Sequence, residues 1–415
     1  MALSSSVIVV CHRPGSWLEL CLASALPQAS EVVVVDNGSA GEEASDIGRR
    51  AGATVVRAAR NLGFAGGVNL GLRHVRGEIV GLLNDDAVAG PGWLDAARSV
   101  LGDPTIAAVT PKVVLDATFA EIVLDDEAWF SPGDSRPLGR LLRSVTIGGR
   151  EVLEGLLGAG VYDTERGMVD GEPSEWRWTS GRAPFYLPVG DADPADQVTV
   201  NGEPVTVRTL CTLVNHAGNF LERHGIAGDY GFAAPDDGRF DERAERFGFS
   251  GTAPVFRLET LAALGGFAGA FFAYNEDTDW CLRARLAGLR IVYDPQATVR
   301  HRLSATSGGA ASAFVRFLAQ RNALLCLVRN APTDVAAPFV WNTIRRGPDS
   351  RVRRSMIRKL PWAVASRMRM RRQRTVSPHE VWDRWAGADT SWDVHPAHAP
   401  PAGTAGAGSL EGTGP

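Results

Sequence analysis

Residues 79–86 have the sequence Ile-Val-Gly-Leu-Leu-Asn-Asp-Asp, an apolar run that stops abruptly at polar residues. Such a run is typical of a strand buried on both faces of a sheet. Similar runs lie at 6–11, 31–35, 53–57 and 107–113. Segments that predict helices lie between them, at 15–26, 65–75 and 91–101. Strands alternating with helices at this spacing predict an α/β fold with a mostly parallel central sheet flanked by helices.

The composition of the 415 residues is ordinary for a globular protein, with 45% hydrophobic and 22% charged residues. The formal net charge of −4 argues against a wholly basic nucleic-acid coat. No apolar run approaches the roughly 18 residues of a membrane-spanning helix, and the N-terminus lacks a secretory pattern. The five scattered cysteines form no CxxC pair, which disfavours a disulfide framework or a zinc ribbon. We therefore expect a cytoplasmic protein.

The chain changes character near residue 124. From there to about 210, Gly, Pro, Trp and Asp dominate, and Asn201-Gly202 between two Val/Thr runs predicts a hairpin within a β-rich insertion. The α/β pattern then returns, with helices predicted at 258–264, 276–287 and 314–329 and short strands at 291–293 and 297–301. The last thirty residues are rich in Ala, Gly, Pro and Thr and are predicted to be disordered. The predicted segments are 1–123, 124–210, 211–305, a basic helical region at 306–385, and a tail at 386–415.

Acidic residues follow two of the predicted strands directly. Asp36 follows the strand 31–35, and Asn84-Asp85-Asp86 follows the strand 79–83. Ligands of open α/β sheets bind at such strand ends. A carboxylate there suits a nucleoside base or ribose, and two adjacent carboxylates suit a hard divalent cation such as Mg²⁺ or Mn²⁺. An ordinary solvated turn fits each motif equally well when it is taken alone.

The helix predicted at 276–287 begins in the segment YNEDTDW, residues 274–280. A helix N-terminus favours carboxylates, and Asn275 is a suitable cap. Asp279 and Arg283 are four residues apart and fit a surface ion pair. The segment nevertheless has more acids than a cap needs, which indicates a further role.

Two other features are weak by themselves. Residues 61–69, NLGFAGGVN, offer glycines for the approach of a phosphate, but they lack the GxGxxG spacing of a dinucleotide site. Close packing of a helix on the sheet explains such glycines as well. His301 ends the strand predicted at 297–301, and a lone histidine is more often structural than a metal ligand.

Taken in order, these pieces resemble the inverting, nucleotide-sugar-dependent glycosyltransferases of family 2, which have the A-type fold. More narrowly, they resemble its rhamnosyltransferase and galactofuranosyltransferase-like branch. The pieces that match are VVVVDNGS (32–39), NLGFAGGVN (61–69), LLNDD (82–86), GGFAGAFFAYNEDTDWCLR (265–283), DPQATVRH (294–301) and Arg321-Asn322. The resemblance covers roughly residues 6–120 and 211–330. Two departures are Asn84-Asp85-Asp86 in place of a plain DxD and Phe267-Ala268-Gly269 in place of Phe-Asp-Glu.

The resemblance implies metal-dependent, inverting transfer of a rhamnose-like or galactofuranose-like sugar. The donor would be a nucleoside-diphosphate sugar, and the acceptor a cell-envelope glycan or a lipid-linked molecule. The implied roles are Asp277 as general base, Asp86 and His301 as ligands of Mn²⁺ or Mg²⁺, and Asp36, Asn61, Asn69 and Asp85 as donor contacts. The implied candidates on the acceptor side are Glu276, Asp279 and Trp280.

Three alternatives to this function are open at this point. One is a glycosyltransferase with a protein or small-molecule acceptor. Another is a catalytically silent member of the family that acts as a binding or scaffold subunit, although the presence of both Asp86 and Asp277 argues against it. A dinucleotide-dependent oxidoreductase is disfavoured by the missing GxGxxG.

The basic stretch 341–374 mixes Arg with Trp, Met, Leu and Val. A basic amphipathic helix predicts attachment to an anionic membrane surface, here the inner face of the cell membrane. A solvated helix pair packed on the catalytic core is the alternative. Nucleic acid is not expected as a partner, because aromatic residues are few and no recognised binding module is present.

Overall fold

The computed structural model describes residues 3–134, 136–169, 172–190, 192–193, 197–223, 225, 227–302, 313–347 and 349–387. They divide into two compact units. The first contains the described residues up to Asp116, Val214–Phe232, and those from Asp236 to Gly387. The second contains the described residues of Ala117–Leu213 together with Ala233–Pro235. All but the first two residues of the predicted disordered tail, from 388 onward, lie outside the described residues.

Strands and helices alternate in the N-terminal part of the first unit. The strands are β1 (Ser5–Cys11), β2 (Glu31–Asp36), β3 (Thr54–Arg57), β4 (Ile79–Asn84), β5 (Ala87–Ala89) and β6 (Ile106–Leu115). The helices are α1 (Ser16–Ala25), α2 (Glu43–Ala51), α3 (Gly63–Gly71) and α4 (Trp93–Val100). The sequence patterns do not predict α2, because Ile47 is its only large apolar side chain.

The second unit is built almost entirely of short strands. They are β7 (Phe119–Ile122), β8 (Trp129–Phe130), β9 (Pro137–Leu138), β10 (Leu141–Leu142), β11 (Val145–Ile147), β12 (Arg150–Glu151), β13 (Glu165–Val169), β14 (Glu172–Trp178), β15 (Phe185–Pro188), β16 (Val198–Val200), β17 (Glu203–Val205) and β18 (Thr209–Cys211). The predicted hairpin is confirmed, since β16 and β17 pair antiparallel around Asn201-Gly202. Both turn residues have positive φ, 50° and 84°, as a two-residue hairpin turn requires.

The remaining elements return to the first unit. The strands are β19 (Val214–His216), β20 (Asn219–Leu221), β21 (Ala227–Asp229), β22 (Ala244–Glu245), β23 (Val255–Arg257) and β24 (Arg290–His301). The helices are α5 (Leu258–Leu264), α6 (Glu276–Leu286), α7 (Ala313–Asn330), α8 (Thr333–Arg346), α9 (Ser350–Met370) and α10 (Pro378–Trp385). No helix among the described residues is both long and apolar enough to cross a membrane.

The central sheet of the first unit has the strand order β22-β24-β6-β23-β4-β1-β2-β3, with β5 on β24 and β19 on β6. Strands β1 to β4 are parallel, and β6 is parallel to β24. Because β23 is antiparallel to both β4 and β6, six strands share one direction. The predicted α/β fold with a mostly parallel central sheet is confirmed, and the carboxyl ends of these six strands lie at one edge.

The apolar run of β2 is continuous because both faces of the sheet are covered. Val33 and Val35 belong to one buried cluster, together with residues of α3, whereas Val32 and Val34 belong to another, together with residues of α1 and α2. All four side chains are at most 3% exposed. Side chains that alternate between two cores give an uninterrupted apolar sequence rather than an apolar–polar alternation.

The two short strands predicted at 291–293 and 297–301 are one strand, β24. Its parallel register with β6 shifts between Asp294 and Thr298, which pair with Pro111 and Lys112 respectively. The intervening Pro295 has no N–H to donate to the ladder, and strands tolerate proline at such irregularities. The bulge carries β24 on to His301, so the prediction of two separate strands was wrong.

Candidate active site

The carboxyl ends of β4 and β24 meet through the short strand β5. Asp85 and Asp86 form the turn from β4 to β5, and β5 pairs antiparallel with the end of β24 so that His301 lies opposite Ala87. This pairing places His301 Nε2 3.1 Å from Asp86 Oδ1. Two of the residues singled out in the sequence, 215 positions apart, are therefore adjacent in the structure.

His301 is oriented through its second ring nitrogen. Its Nδ1 lies 2.7 Å from Oδ1 of Asn215, which is a hydrogen-bond acceptor, so Nδ1 carries a hydrogen. In the neutral ring, Nε2 then directs its lone pair at the carboxylate of Asp86. Two acceptors at this distance repel each other unless a proton or a cation lies between them. Asn215 thus takes the position of the outer partner that orients a metal-binding histidine.

The Asp86–His301 pair has suitable chemistry for Mn²⁺ or Mg²⁺. Adjacent ligands of an octahedral ion with bonds of about 2.1 Å are about 3.0 Å apart, close to the observed 3.1 Å. Within the described residues, no group of three or more His, Cys, Asp and Glu side chains is placed to hold an ion alone. Magnesium sites with one or two protein ligands usually complete their coordination with water and substrate phosphates. The residues present therefore fit an ion that is shared with a phosphorylated ligand.

Asp85, next to Asp86 in the turn, lies in surroundings that make its carboxyl difficult to ionise. Burial raises the pKa of its carboxyl to about 7, and the charge of Asp86 adds to this, whereas a hydrogen bond with Cys11 opposes it. The Sγ of Cys21 donates to the carbonyl oxygen of Asn84 at 3.3 Å. The turn is thus tied to β1 and α1 by two cysteines, for which the sequence analysis predicts no contact.

Asp277 is linked to the same turn by two hydrogen bonds. Its Oδ2 accepts a hydrogen bond from the backbone N–H of Gly251 at 3.1 Å. The carbonyl of the next residue, Thr252, accepts from the backbone N–H of Asn84 at 2.9 Å. The start of α6 therefore lies beside the carboxyl end of β4, and Asp277 shares an edge of the sheet with Asp86.

The two acids at the start of α6 are difficult to ionise. Burial raises the pKa of Asp277, while backbone N–H groups, that of Thr278 foremost, oppose the shift. Burial and the neighbouring charges of Asp277 and Asp279 raise the pKa of Glu276 well above its usual value. Glu276 is 5% exposed, and its Oε2 has no hydrogen-bond partner among the described residues. A raised pKa is characteristic of carboxylates that accept protons near neutral pH.

The backbone that leads into α6 is held in a strained conformation. Phe272, Tyr274 and Asn275 have φ between 63° and 71°, which is rare for residues with a Cβ atom. The Nδ2 of Asn322 lies 3.0, 2.7 and 2.7 Å from the carbonyl oxygens of Phe271, Ala273 and Tyr274. Asn322 thus fixes the turn that positions Asp277. The predicted cap is not formed, because no side-chain cap hydrogen bond is made by Asn275.

Asp279 and Trp280 lie in the interior, with no exposed surface. The carboxylate of Asp279 pairs with Arg329 at 2.7 Å and with Arg283 at 3.1 Å. Although burial opposes ionisation, Arg329 and Arg283 hold the pKa of Asp279 below its usual value. The pair of Asp279 and Arg283, predicted at the surface, is therefore buried within α6, and Arg329 links Asp279 to α7. Neither Asp279 nor Trp280 is accessible to an acceptor in this conformation.

Asp36 is fully buried and stabilises its own loop. Its oxygens accept hydrogen bonds from Ser39 Oγ at 2.7 Å and from Ser45 Oγ at 2.6 Å. Although burial opposes ionisation, these hydrogen bonds lower the pKa of Asp36. A nucleoside would have to replace these partners to contact the carboxylate of Asp36, so this predicted role stays a prediction.

Asn37, which the sequence analysis did not single out, joins two of the predicted motifs. Its Nδ2 donates to the carbonyl of Gly63 at 3.1 Å and lies 3.3 Å from Asn61 Oδ1, and its Oδ1 accepts from the N–H of Leu62 at 3.0 Å. Its place directly after Asp36 in VVVVDNGS was the available signal. Asn37 therefore brings Asn61 to the carboxyl end of β2.

Asn69 joins α3 to the segment before α6. Its Nδ2 donates to the carbonyl of Phe267 at 2.6 Å, and its Oδ1 accepts from the N–H of the same residue at 3.0 Å. A Cβ atom on Gly266 would lie 2.2 Å from Asn69 Oδ1, so this approach requires glycine. Both the nitrogen and the oxygen of the Asn69 amide are therefore already hydrogen-bonded within the protein. A contact between Asn69 and the nucleoside-diphosphate sugar stays a prediction.

Residues 6–139 match the family model of glycosyl transferase family 2. The matched segment is about a third of the chain and includes Asp36, Asp85 and Asp86 but neither Asp277 nor His301. It supports the family-level resemblance drawn from the motifs, and it does not distinguish the rhamnosyltransferase and galactofuranosyltransferase-like branch. No curated protein matches the chain.

Three solved structures overlap with this chain to a limited extent. GalNAc-T7 with UDP, GalNAc and Mn²⁺ aligns with 88% of this chain and 56% of its own, at 13% identity and a TM-score of 0.48. The mannosyltransferase PcManGT from Pyrobaculum calidifontis, in complex with GDP-Man and Mn²⁺, aligns with 89% and 74%, at 16% identity and a TM-score of 0.42. Glucosyl-3-phosphoglycerate synthase from Mycobacterium tuberculosis, in complex with Mn²⁺, UDP and phosphoglyceric acid, aligns with 27% and 43%, at 20% identity and a TM-score of 0.24. The chain spans little more than half the length of the first, and overlaps this low assign no residue roles.

Proposed function

We propose that this protein is a glycosyltransferase that moves a sugar from a nucleoside-diphosphate donor to an acceptor hydroxyl, with inversion at the anomeric carbon. The observation that carries this proposal is the contact of Asp86 with His301, together with the position of Asp277 at the same edge of the sheet. The family match over residues 6–139 supports the donor class.

Asp86 and His301 would hold Mn²⁺ or Mg²⁺ together with the donor diphosphate. The bound ion would act as a Lewis acid that stabilises the charge on the departing nucleoside diphosphate. Asn215 keeps the ring of His301 in the orientation and tautomer that leave Nε2 free to bind. Asp85, Asp36, Asn61 and Asn69 are the further candidates for contacts to the donor.

Asp277 is the proposed general base. Its carboxylate would take the proton of the acceptor hydroxyl while that oxygen forms a bond to the anomeric carbon. The bond from that carbon to the diphosphate oxygen would break in the same displacement, and the nucleoside diphosphate would leave with the electron pair. A positioned base of this kind contributes about 10²–10⁴-fold to the rate. Glu276, buried next to Asp277 and hard to ionise, is a candidate on the acceptor side.

The finer assignments of the proposal are the sugar and the acceptor. We propose a rhamnose-like or galactofuranose-like sugar and a cell-envelope glycan or lipid-linked acceptor. This rests on the resemblance of all the matching pieces, taken in order, to that branch of the family; they are 32–39, 61–69, 82–86, 265–283, 294–301 and Arg321-Asn322.

A donor screen tests the proposed function. The full chain is incubated with a panel of nucleoside-diphosphate sugars and a panel of glycan and lipid-linked acceptors, with Mn²⁺, with Mg²⁺ or with chelator, and release of nucleoside diphosphate is measured. Metal-dependent release with one donor is expected. A binding or scaffold subunit would bind a donor and raise its melting temperature without releasing nucleoside diphosphate, and that result would contradict the proposal.

A further inference from the structure

Helix α9 exposes a stripe of apolar side chains to solvent. Ile357, Val364 and Met368 are 53%, 47% and 59% exposed. Their spacing of seven and four residues puts all three on one face of a helix with 3.6 residues per turn. The exposed Pro361 lies between them on the same face. Single exposed apolar residues are normal, whereas a contiguous stripe indicates an interaction surface.

The opposite face of α9 is fixed to the first unit. Val352, Met356 and Ala363 are buried in its core. Ser366 accepts a hydrogen bond from Arg329 Nη1 at 2.7 Å. Arg367 Nη1 donates to the carbonyl of Ala331 at 2.7 Å. The helix therefore packs on the core, as one alternative in the sequence analysis expected, but this packing explains only one of its faces.

Cationic side chains flank the apolar stripe. Helix α9 has seven Arg and Lys residues and no acidic residue, although the whole chain has a formal net charge of −4. A groove beside the stripe is lined by Arg351, Arg354, Arg358 and Lys359, with Phe317 and Ile357. Burial, with a smaller contribution from the charge of Arg321, lowers the pKa of Lys359. An anionic group in the groove would favour the charged form of its ammonium.

We propose that this face of α9 docks on an anionic phospholipid surface. The apolar stripe would enter the boundary between headgroups and acyl chains, and the Arg and Lys side chains would meet lipid phosphates. The exposed side chains of the stripe are aliphatic, whereas single-stranded nucleic acids are held by stacking on aromatic rings. The exposed Trp341 of α8, with Arg345 5.2 Å from its ring, has the amphipathic character typical of residues at a membrane interface.

The groove also adjoins the segment that leads to Asp277. Phe317, which lines it, lies 5.4 Å from the guanidinium of Arg321, and Arg321 Nη2 donates to the carbonyl of Phe271 at 2.7 Å. Docking would therefore bring a membrane surface near the acceptor side of the proposed active site. The docking itself does not rest on the proposed function, because vesicle binding needs no sugar transfer.

Co-sedimentation with vesicles tests the docking. The full chain is mixed with vesicles of phosphatidylcholine alone or with added phosphatidylglycerol. Binding only to the anionic vesicles is expected. Replacing Ile357, Val364 and Met368 together by Ser should weaken binding by at least about tenfold. The matched control is Leu20→Ser, since Leu20 is 51% exposed on α1, and it should bind like the parent chain.

A second variant keeps the test decisive if the triple variant fails to fold. Arg354→Gln with Arg358→Gln removes charge at exposed positions and should lower binding to the anionic vesicles. Equal binding to both kinds of vesicle, no binding to either, or unchanged binding by a folded triple variant would overturn the proposal. Binding to a single-stranded RNA homopolymer that competes with the vesicles and depends on the same arginines would overturn it in favour of nucleic acid. Release of nucleoside diphosphate, measured separately without vesicles, shows whether the proposed function fails independently.

Discussion

His301 Nε2 lies 3.1 Å from Asp86 Oδ1, although 215 residues separate the two in the chain. The contact follows from the fold, because β5 turns back from β4 and pairs with the last residues of β24. With a hydrogen on Nδ1 directed at Asn215, the two facing atoms are both acceptors unless the imidazole is protonated. The pair is therefore prepared for a proton or for a metal ion.

Asp86→Ala is expected to abolish metal-dependent binding of the donor. The substitution removes one of the two protein ligands, and a single imidazole is a weak site for Mn²⁺ or Mg²⁺. Calorimetric titration of Mn²⁺ in the presence of a nucleoside diphosphate should show the loss directly. The matched control is Asp95→Ala, since Asp95 is an exposed acid on α4, and it should titrate like the parent chain. Unchanged Mn²⁺ affinity in Asp86→Ala would remove Asp86 from the proposed metal site.

Asn215→Ala should weaken Mn²⁺ binding by about 10–100-fold while both proposed ligands remain. The physical reason is that the ring of His301 loses the acceptor that fixes its tautomer and orientation. The same titration measures the effect. An affinity equal to that of the parent chain would mean that Asn215 does not orient His301 for a cation.

Asn322→Ala is expected to lower kcat by about 10²-fold with little change in the affinity for the donor. The substitution removes the amide that holds three carbonyl groups of the strained turn before Asp277. A lower kcat at unchanged donor affinity would show that Asn322 positions Asp277. A general loss of structure would lower both kcat and donor affinity. Asn342→Ala, at an exposed position on α8, serves as the control. An equal loss of donor binding in Asn322→Ala would contradict a role confined to the turn.

Because His216 is buried in its neutral form, the free energy of unfolding is expected to decrease in acid. Burial lowers the pKa of its imidazole from 6.5 to about 3, and neither ring nitrogen has a hydrogen-bond partner among the described residues. As the pH falls from 6.5 to about 3, the unfolded chain takes up a proton that the native chain does not, so the free energy of unfolding decreases by about 1.4 kcal/mol per pH unit. Denaturant unfolding of His216→Phe should show a shallower decline over this range. The control His379→Phe, at an exposed position, should follow the parent chain, and an unchanged slope in His216→Phe would contradict the assignment.

The sequence predicts the strands and turns that carry the site, but not how they are joined. The abrupt ends of the apolar runs predict β2 and β4 within one residue of their observed ends. In contrast, the continuity of β24 depends on a bulge around Pro295 that only its pairing with β6 shows. Asn215 and Asn37 act through contacts to residues distant in the chain, which hydrophobic periodicity does not report. The spacing of four residues predicts a surface pair of Asp279 and Arg283, because local spacing does not report that α7 packs over this part of α6.

The role of Asp277 as general base is decided by measuring sugar transfer by Asp277→Asn. The amide keeps the shape of the side chain and loses the ability to take a proton, so donor binding should be retained. Burial raises the pKa of Asp277 in the parent chain. As the pH is lowered, the transfer rate of the parent chain should therefore begin to fall at a higher pH than it would with an ordinary aspartate as the base. With a donor found by the screen, we expect sugar transfer by the variant to fall by about 10²–10⁴-fold at unchanged donor affinity. Transfer at a rate near that of the parent chain would show that Asp277 is not the general base.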